Sequence, residues 1–209
     1  MKGIHSLCYL ALFSSLLVFT SCDDEDDTAP VVDIEAVTVE DIQTAGTRQA
    51  PDPTFFDLES GEVVDDSRAG TNDWDIAFDN TTILINSGIS GPGSVEAQVL
   101  EQGFDNIEEA PESGYQQDTE SSLAIPSGSG NGWYNYTSDT RPTNAILPIL
   151  GRTIVLRTNE GHYAKMEILS WYQGNPDPST EEFANFDTRP ESRYFTFRYA
   201  LQTNGSRQF

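Results

Sequence analysis

Beyond residue 22 the chain holds one histidine, His162, one methionine, Met166, and no cysteine. A Ser-His-Asp arrangement would have to recruit His162 from beside a turn, and no nucleophile motif accompanies it. Carboxylates are so abundant, 34 in 209 residues, that a pair spaced for glycoside hydrolysis is expected by chance. A zinc centre needs three or four clustered ligands, and the chain has neither HExxH nor CxxC. Calcium loops of EF-hand spacing are missing too. The residue types therefore point away from an enzyme and from a metal centre.

Aromatic side chains are the more suggestive set. Tyr115, Trp133, Tyr134, Tyr136, Trp171 and Tyr172 lie in or beside connections rich in Gly, Ser and Pro. Such residues form either the edges of a core or a platform for a ligand, and a wall of them can receive a flat, apolar guest.

The elements that must position them centre on Gly151–Gly174. Thr153–Thr158 is β-branched, Asn159-Glu160-Gly161 supplies turn chemistry, and His162–Tyr172 reads as a second, longer strand. Ala164, Met166 and Ile168 fall on one face, with Lys165, Glu167, Leu169 and Trp171 on the other. Phe55–Leu58 and Val63-Val64 flank Glu59–Glu62 as a smaller hairpin. Trp74, Ile76 and Phe78 alternate with Asp75 and Ala77, and Asp79-Asn80 turns the chain into Thr81–Asn86. Ser87–Ser94 is glycine-rich but lacks the lysine and helix of a phosphate cradle, so it reads as a conformational loop. Val95–Pro111 is the one helical candidate, with a turn or two at Asp105–Ala110. Ser113–Gly132 and Asn175–Glu191 read as loops, Trp133–Tyr136 as a strand, and Phe195, Phe197 and Tyr199 alternate in a last strand. The sum is a mostly β domain of short antiparallel sheets and long loops.

The N-terminus sets the compartment. Lys2, the apolar run Leu7–Phe19 and Thr20-Ser21 make a signal peptide over residues 1–21, too short for the ~20 residues of a membrane span. The small residues before Cys22 resemble a bacterial lipobox, which makes Cys22 the lipidated first residue of the mature chain. Ordinary cleavage near Ser21, leaving a free thiol, is the alternative. Asp23–Asp27 reads as a solvated, disordered acidic tether and resembles the export signal of Bacteroidetes-type surface lipoproteins. Residues 22–53 are taken mainly as linker, in which Val31–Ile42 can add an edge strand, and 54–209 as the domain. Lys2 is the one basic residue of the leader, which has no acid, so its loss moves the formal charge from −23 to −24. That surface repels nucleic acid and anionic headgroups, leaving the lipid as the membrane attachment.

Three stretches together resemble the HmuY family of haem-binding surface lipoproteins: Trp74–Pro92, Gly151–Gly174 and Tyr194–Tyr199. Ala110-Pro111 with Gly114-Tyr115, and Trp133–Tyr136, fit the same pattern, so the likeness spans Phe55 to Gly205. It implies a mostly β, HmuY-like fold and haem held between finger-like loops. It also implies an outer-membrane lipid anchor facing the exterior, and transfer of the haem to a TonB-dependent receptor. Family members that bind haem tightly use paired His or Met ligands. Here the corresponding positions fall near Asn144 and in Glu112–Gln117, where only Tyr115 is a donor. The candidate pocket residues are therefore Tyr115, Tyr134, Tyr136 and Asn144. The alternative is another small apolar ligand, a glycan or a partner protein on the same fold.

Overall fold

A computed structural model describes residues 34–46, 49, 50 and 52–209. The signal peptide, Cys22 and the acidic run Asp23–Asp27 lie outside the described residues.

The central hairpin forms where its residues predict it: β9 (Thr153–Arg157) pairs antiparallel with β10 (Tyr163–Tyr172), Met166 opposite Ile154. β10 is flanked on its other side by β11 (Ser192–Gln202), and β11 by β1 (Val37–Gln43). With β6 (Glu96–Leu100) against β9, the order is β1-β11-β10-β9-β6. A second sheet, β3-β2-β4-β5, combines β2 (Thr54–Asp57), β3 (Glu62–Val64), β4 (Ile76–Asp79) and β5 (Thr82–Ile85). A third, small sheet is the hairpin of β7 (Tyr134–Tyr136) and β8 (Ile146–Pro148). The fold is mostly β, as its composition requires.

The main core lies between the two larger sheets. Phe78 stacks 4.5 Å from Phe195 and 5.3 Å from Phe197, and Phe56 meets Phe197 edge-on at 5.3 Å. Ala164, Met166 and Ile168 enter this core from β10. Lys165 points to the opposite face, where its Nζ donates to the carbonyls of Phe104 (3.2 Å) and Ile107 (2.8 Å). Burial pulls its ammonium below the ordinary lysine value.

Several expectations change. Val95–Pro111 is not helical: Glu96–Leu100 becomes β6, and only Phe104–Asn106 forms a 3₁₀ turn. The weak helical preference of Glu-Ala-Gln-Val-Leu yields to the ladder offered by β9, which buries Ala97 completely. Trp74 does not share a face with Ile76 and Phe78. It packs 4.8 Å from Phe55 in a separate cluster, because the β4 ladder begins only at Ile76 and the indole Nε1 bonds to Ala69 O. Trp171 joins the main core, since register shifts at Ser170 break the alternation of β10. Val37–Gln43 is the edge strand that its β-branched residues allow, so the sheet extends upstream of residue 54. Within the loop Asn175–Glu191 a short helix, α1 (Glu181–Ala184), is capped by the Thr180 side chain.

Two buried carboxylates tie loops to strands. Asp118 accepts from the amides of Ile85 (3.1 Å) and Ala124 (2.9 Å), fastening the long 113–132 loop to β5. Asp75 accepts from the amides of Leu58 (3.1 Å) and Asn159 (3.2 Å), joining the first hairpin to the tip of the central one. Burial pushes the Asp75 carboxyl up to about 7 against those two donors, with the charges of Glu160 and Asp57 adding to the rise. Its folded value thus lies above the ordinary 3.8, so the folded state holds the proton more tightly. The stability it contributes is full below pH ~4 and is lost as pH rises towards 7. We expect the resistance of the wild type to chemical denaturation to fall over that window relative to Asp75→Asn, with a limiting slope of about 1.4 kcal/mol per pH unit. Parallel pH profiles for the two proteins would refute the assignment.

Candidate ligand-binding site

β10 outruns its neighbour. β9 pairs with it only from Tyr163 to Met166, and beyond that point the β9 side of β10 faces the segment that leads from β8 into β9. An apolar cleft of about 320 Å³ opens there. Its floor is Glu167, Ile168 and Leu169, one wall is Leu147–Leu150, and Pro178 stands on the other. Leu150 is 92% exposed, an uncommon placement for leucine in a chain so rich in acids. The lining is mostly apolar with one carboxylate, and Glu167 is held by Arg198 at 2.8 Å.

Two loops are continuous with the segments that line the cleft, one running into β8 and one containing Pro178. The loop between β7 and β8 is closed by Thr137 N to Ala145 O (2.9 Å) and Asn144 N to Ser138 O (2.8 Å). Asn144 takes the left-handed conformation, φ 51°, which asparagine tolerates better than most residues. Its Oδ1 accepts the Tyr136 hydroxyl. The other loop carries α1, whose Phe183 is buried edge-on to Tyr172 at 4.8 Å. The Tyr172 hydroxyl in turn accepts from Ile146 N (3.1 Å), so β10 is bonded to β8.

The four candidate residues separate. Tyr136 and Asn144 are brought together in one loop, and Tyr136 is about half exposed. Tyr134 precedes them in β7 but is buried in the main core, 4.9 Å from Trp133. Tyr115 lies on the opposite face of the five-stranded sheet, with Val155, Ile107 and Ala110, and 6.2 Å from Tyr163. Alternation along β9 explains the split: Ile154 and Leu156 face the main core, Val155 the other side. Among the described residues, none of the four main clefts is lined by Tyr115 or Asn144.

Nor do these residues suit coordination of haem iron. Burial pushes the Tyr115 phenol up to about 12, which disfavours the phenolate an iron would need. Asn144 uses its amide oxygen, N–H and carbonyl within the loops. Met166 is fully buried, and His162 Nδ1 lies 2.7 Å from Glu59 at the hairpin tip. From Tyr163 to Leu169 the strand covers roughly 20 Å, so His162 is remote from the cleft. Among the described residues no group of three or more His, Cys, Asp and Glu can hold a metal ion, and no helix is long and apolar enough to cross a membrane.

Sequence reasoning missed the cleft residues. The signal that could have found them is Ala145-Ile146-Leu147-Pro148-Ile149-Leu150, six consecutive apolar residues ending at a glycine. The glycine loop Ser87–Ser94 is conformational: Gly93 N donates to Asn86 Oδ1 (2.9 Å), and a Cβ on Gly91 would sit 2.6 Å from the Trp74 ring.

A comparison with curated proteins finds no match. Among solved structures, the chain is similar to the apo HmuY analogue of Tannerella forsythia, with 15% identity and a TM-score of 0.50 over 83% of this chain and all of that one. It is likewise similar to apo PinO from Porphyromonas gingivitis, at 15% identity and a TM-score of 0.50 over 81% and 98%. At these identities the likeness concerns the fold. The model of the HmuY protein family matches residues 49–187, two thirds of the sequence. The chain therefore belongs to the HmuY family.

Proposed function

We propose that the protein is a lipid-anchored surface binding protein and not an enzyme. It captures haem, or a porphyrin of like shape, in the cleft beside β8 and β10, and passes it to an outer-membrane receptor. The apolar lining of that cleft, on an otherwise strongly acidic molecule, carries this reading. Family membership supports the ligand class. The lipobox-like residues before Cys22 and the acidic run after it support the anchor and the exposure to the exterior.

None of the lining residues is a His, Met, Tyr or Cys, so the porphyrin is held as a flat apolar body and not by its iron. The same observation favours a second reading, a different small apolar ligand in the same cleft. One titration separates them. The mature chain should quench its tryptophan emission equally, within about threefold in Kd, with haemin and with iron-free protoporphyrin. Leu169→Asp, which places a charge on the half-buried floor, should weaken both by at least tenfold. No quenching by either porphyrin, or binding unaltered in L169D, removes the porphyrin reading. A preference for haemin above tenfold removes the iron-independent mode.

A further inference from the structure

We infer that Arg189 is the positioning residue that fixes the width of the cleft and so selects the shape of ligand that enters it. The inference rests on the reading of the cleft as a ligand site.

Arg189 joins the two segments that lead into the walls: Asn144 stands three residues before Leu147, and Phe183 five residues after Pro178. Its Nη1 donates to Asn144 O (3.2 Å) and its Nη2 to Thr143 O (3.0 Å), both on the loop that runs into β8. Its Nε donates to Phe183 O (2.7 Å) in α1. The guanidinium lies 4.9 Å from the Phe183 ring and 4.6 Å from the Phe186 ring. Among the described ion pairs none includes Arg189, although acids outnumber bases threefold in this sequence. Its Nε, Nη1 and Nη2 reach three separate backbone carbonyls at once, a planar fork geometry that a lysine ammonium does not reproduce.

Each wall is stiff up to that bridge. On one side, Asn144 is already held at its Oδ1 by Tyr136 and at its N–H by Ser138, and Arg189 takes its carbonyl. On the other, Asp177 accepts from Ser179 N (2.9 Å), Thr180 caps Phe183 N (3.2 Å), and Thr188 Oγ1 donates to Glu182 O (2.7 Å). Pro178, which lines the cleft, lies within this braced segment. The walls therefore move as rigid pieces whose separation Arg189 sets. Arg141 also pairs with Glu181 across the gap, but both side chains are mostly exposed and the pair adds little.

The test uses the mature chain with Arg189→Ala, Arg189→Lys and Glu181→Gln, all checked for native circular dichroism. Hydrogen exchange followed by mass spectrometry should rise at least fivefold in residues 138–146 and 177–188 together in both Arg189 variants. It should stay at the wild-type level in E181Q. The ratio of protoporphyrin affinity to that for a straight-chain fatty acid should change at least fivefold in R189A and R189K. Exchange that rises in one segment only, full rescue by lysine, or an equal effect of E181Q overturns the assignment. If the wild type binds neither probe while both segments still loosen together, the ligand reading falls and the bridge between the walls stands.

Discussion

Replacing Phe197 with alanine should cost about 3–5 kcal/mol of folding stability, the range for deleting a fully buried aromatic side chain. Phe197 stands on β11 between the two larger sheets and touches Phe56 at 5.3 Å, Phe78 at 5.3 Å and Tyr199 at 6.2 Å. Each of those rings belongs to the main core, so no loop can collapse to fill the void. The thermal midpoint should drop by roughly 10 °C for a domain of this size. Phe186→Ala provides the contrast, since that ring is 59% exposed and should change stability by no more than ~1 kcal/mol. Equal midpoints for the two variants would mean that the sheets do not meet through Phe197.

Asp118→Ala should be the second most damaging change, at about 2–4 kcal/mol. The carboxylate accepts from Ile85 N and Ala124 N in a buried setting, and truncation strands both amides. A buried donor left without a partner costs about 1–3 kcal/mol. Asp118→Asn keeps one acceptor and should recover roughly half of the loss. Because Asp118 anchors the 113–132 loop to β5, limited proteolysis of the alanine variant should cut that loop first. Cleavage beginning elsewhere, with stability near that of the wild type, would show that the two bonds are not what holds the loop.

Local chemistry made much of the fold legible. The hairpin 153–172 announces itself by β-branched residues around Asn-Glu-Gly, and Phe195, Phe197 and Tyr199 by strict alternation. Failures came where partners distant in sequence decide. Glu96–Leu100 has helical composition, but its conformation is set by β9, more than fifty residues later. Trp74 lies two residues before its strand begins, outside the ladder, so period-two reasoning assigns it to the wrong face. α1 could have been read from Thr180-Glu181-Glu182-Phe183, a capping threonine with acids in the first turn.

The site was less legible than the fold. Tyr136 and Asn144, two of the candidate pocket positions, do come together, the Tyr136 hydroxyl bonding to the Asn144 amide oxygen. Tyr115 joins them through the ligand loop that the family resemblance puts at Glu112–Gln117, a correspondence that carries no information about the face of the sheet on which this tyrosine packs. A cleft is a relation among segments: Leu147–Leu150, Leu169 and Pro178 converge only because β10 outlasts β9.

The pairing of β1 and β10 on either flank of β11 has a practical consequence for anyone preparing this protein in pieces. The family-matched range, 49–187, stops short of β11 and starts after β1. A fragment trimmed to those limits would discard the strand that carries Phe195 and Phe197, and would bare one whole side of β10 to any neighbouring chain. A piece meant to keep the five-stranded sheet whole must therefore run from before Val37 to beyond Gln202.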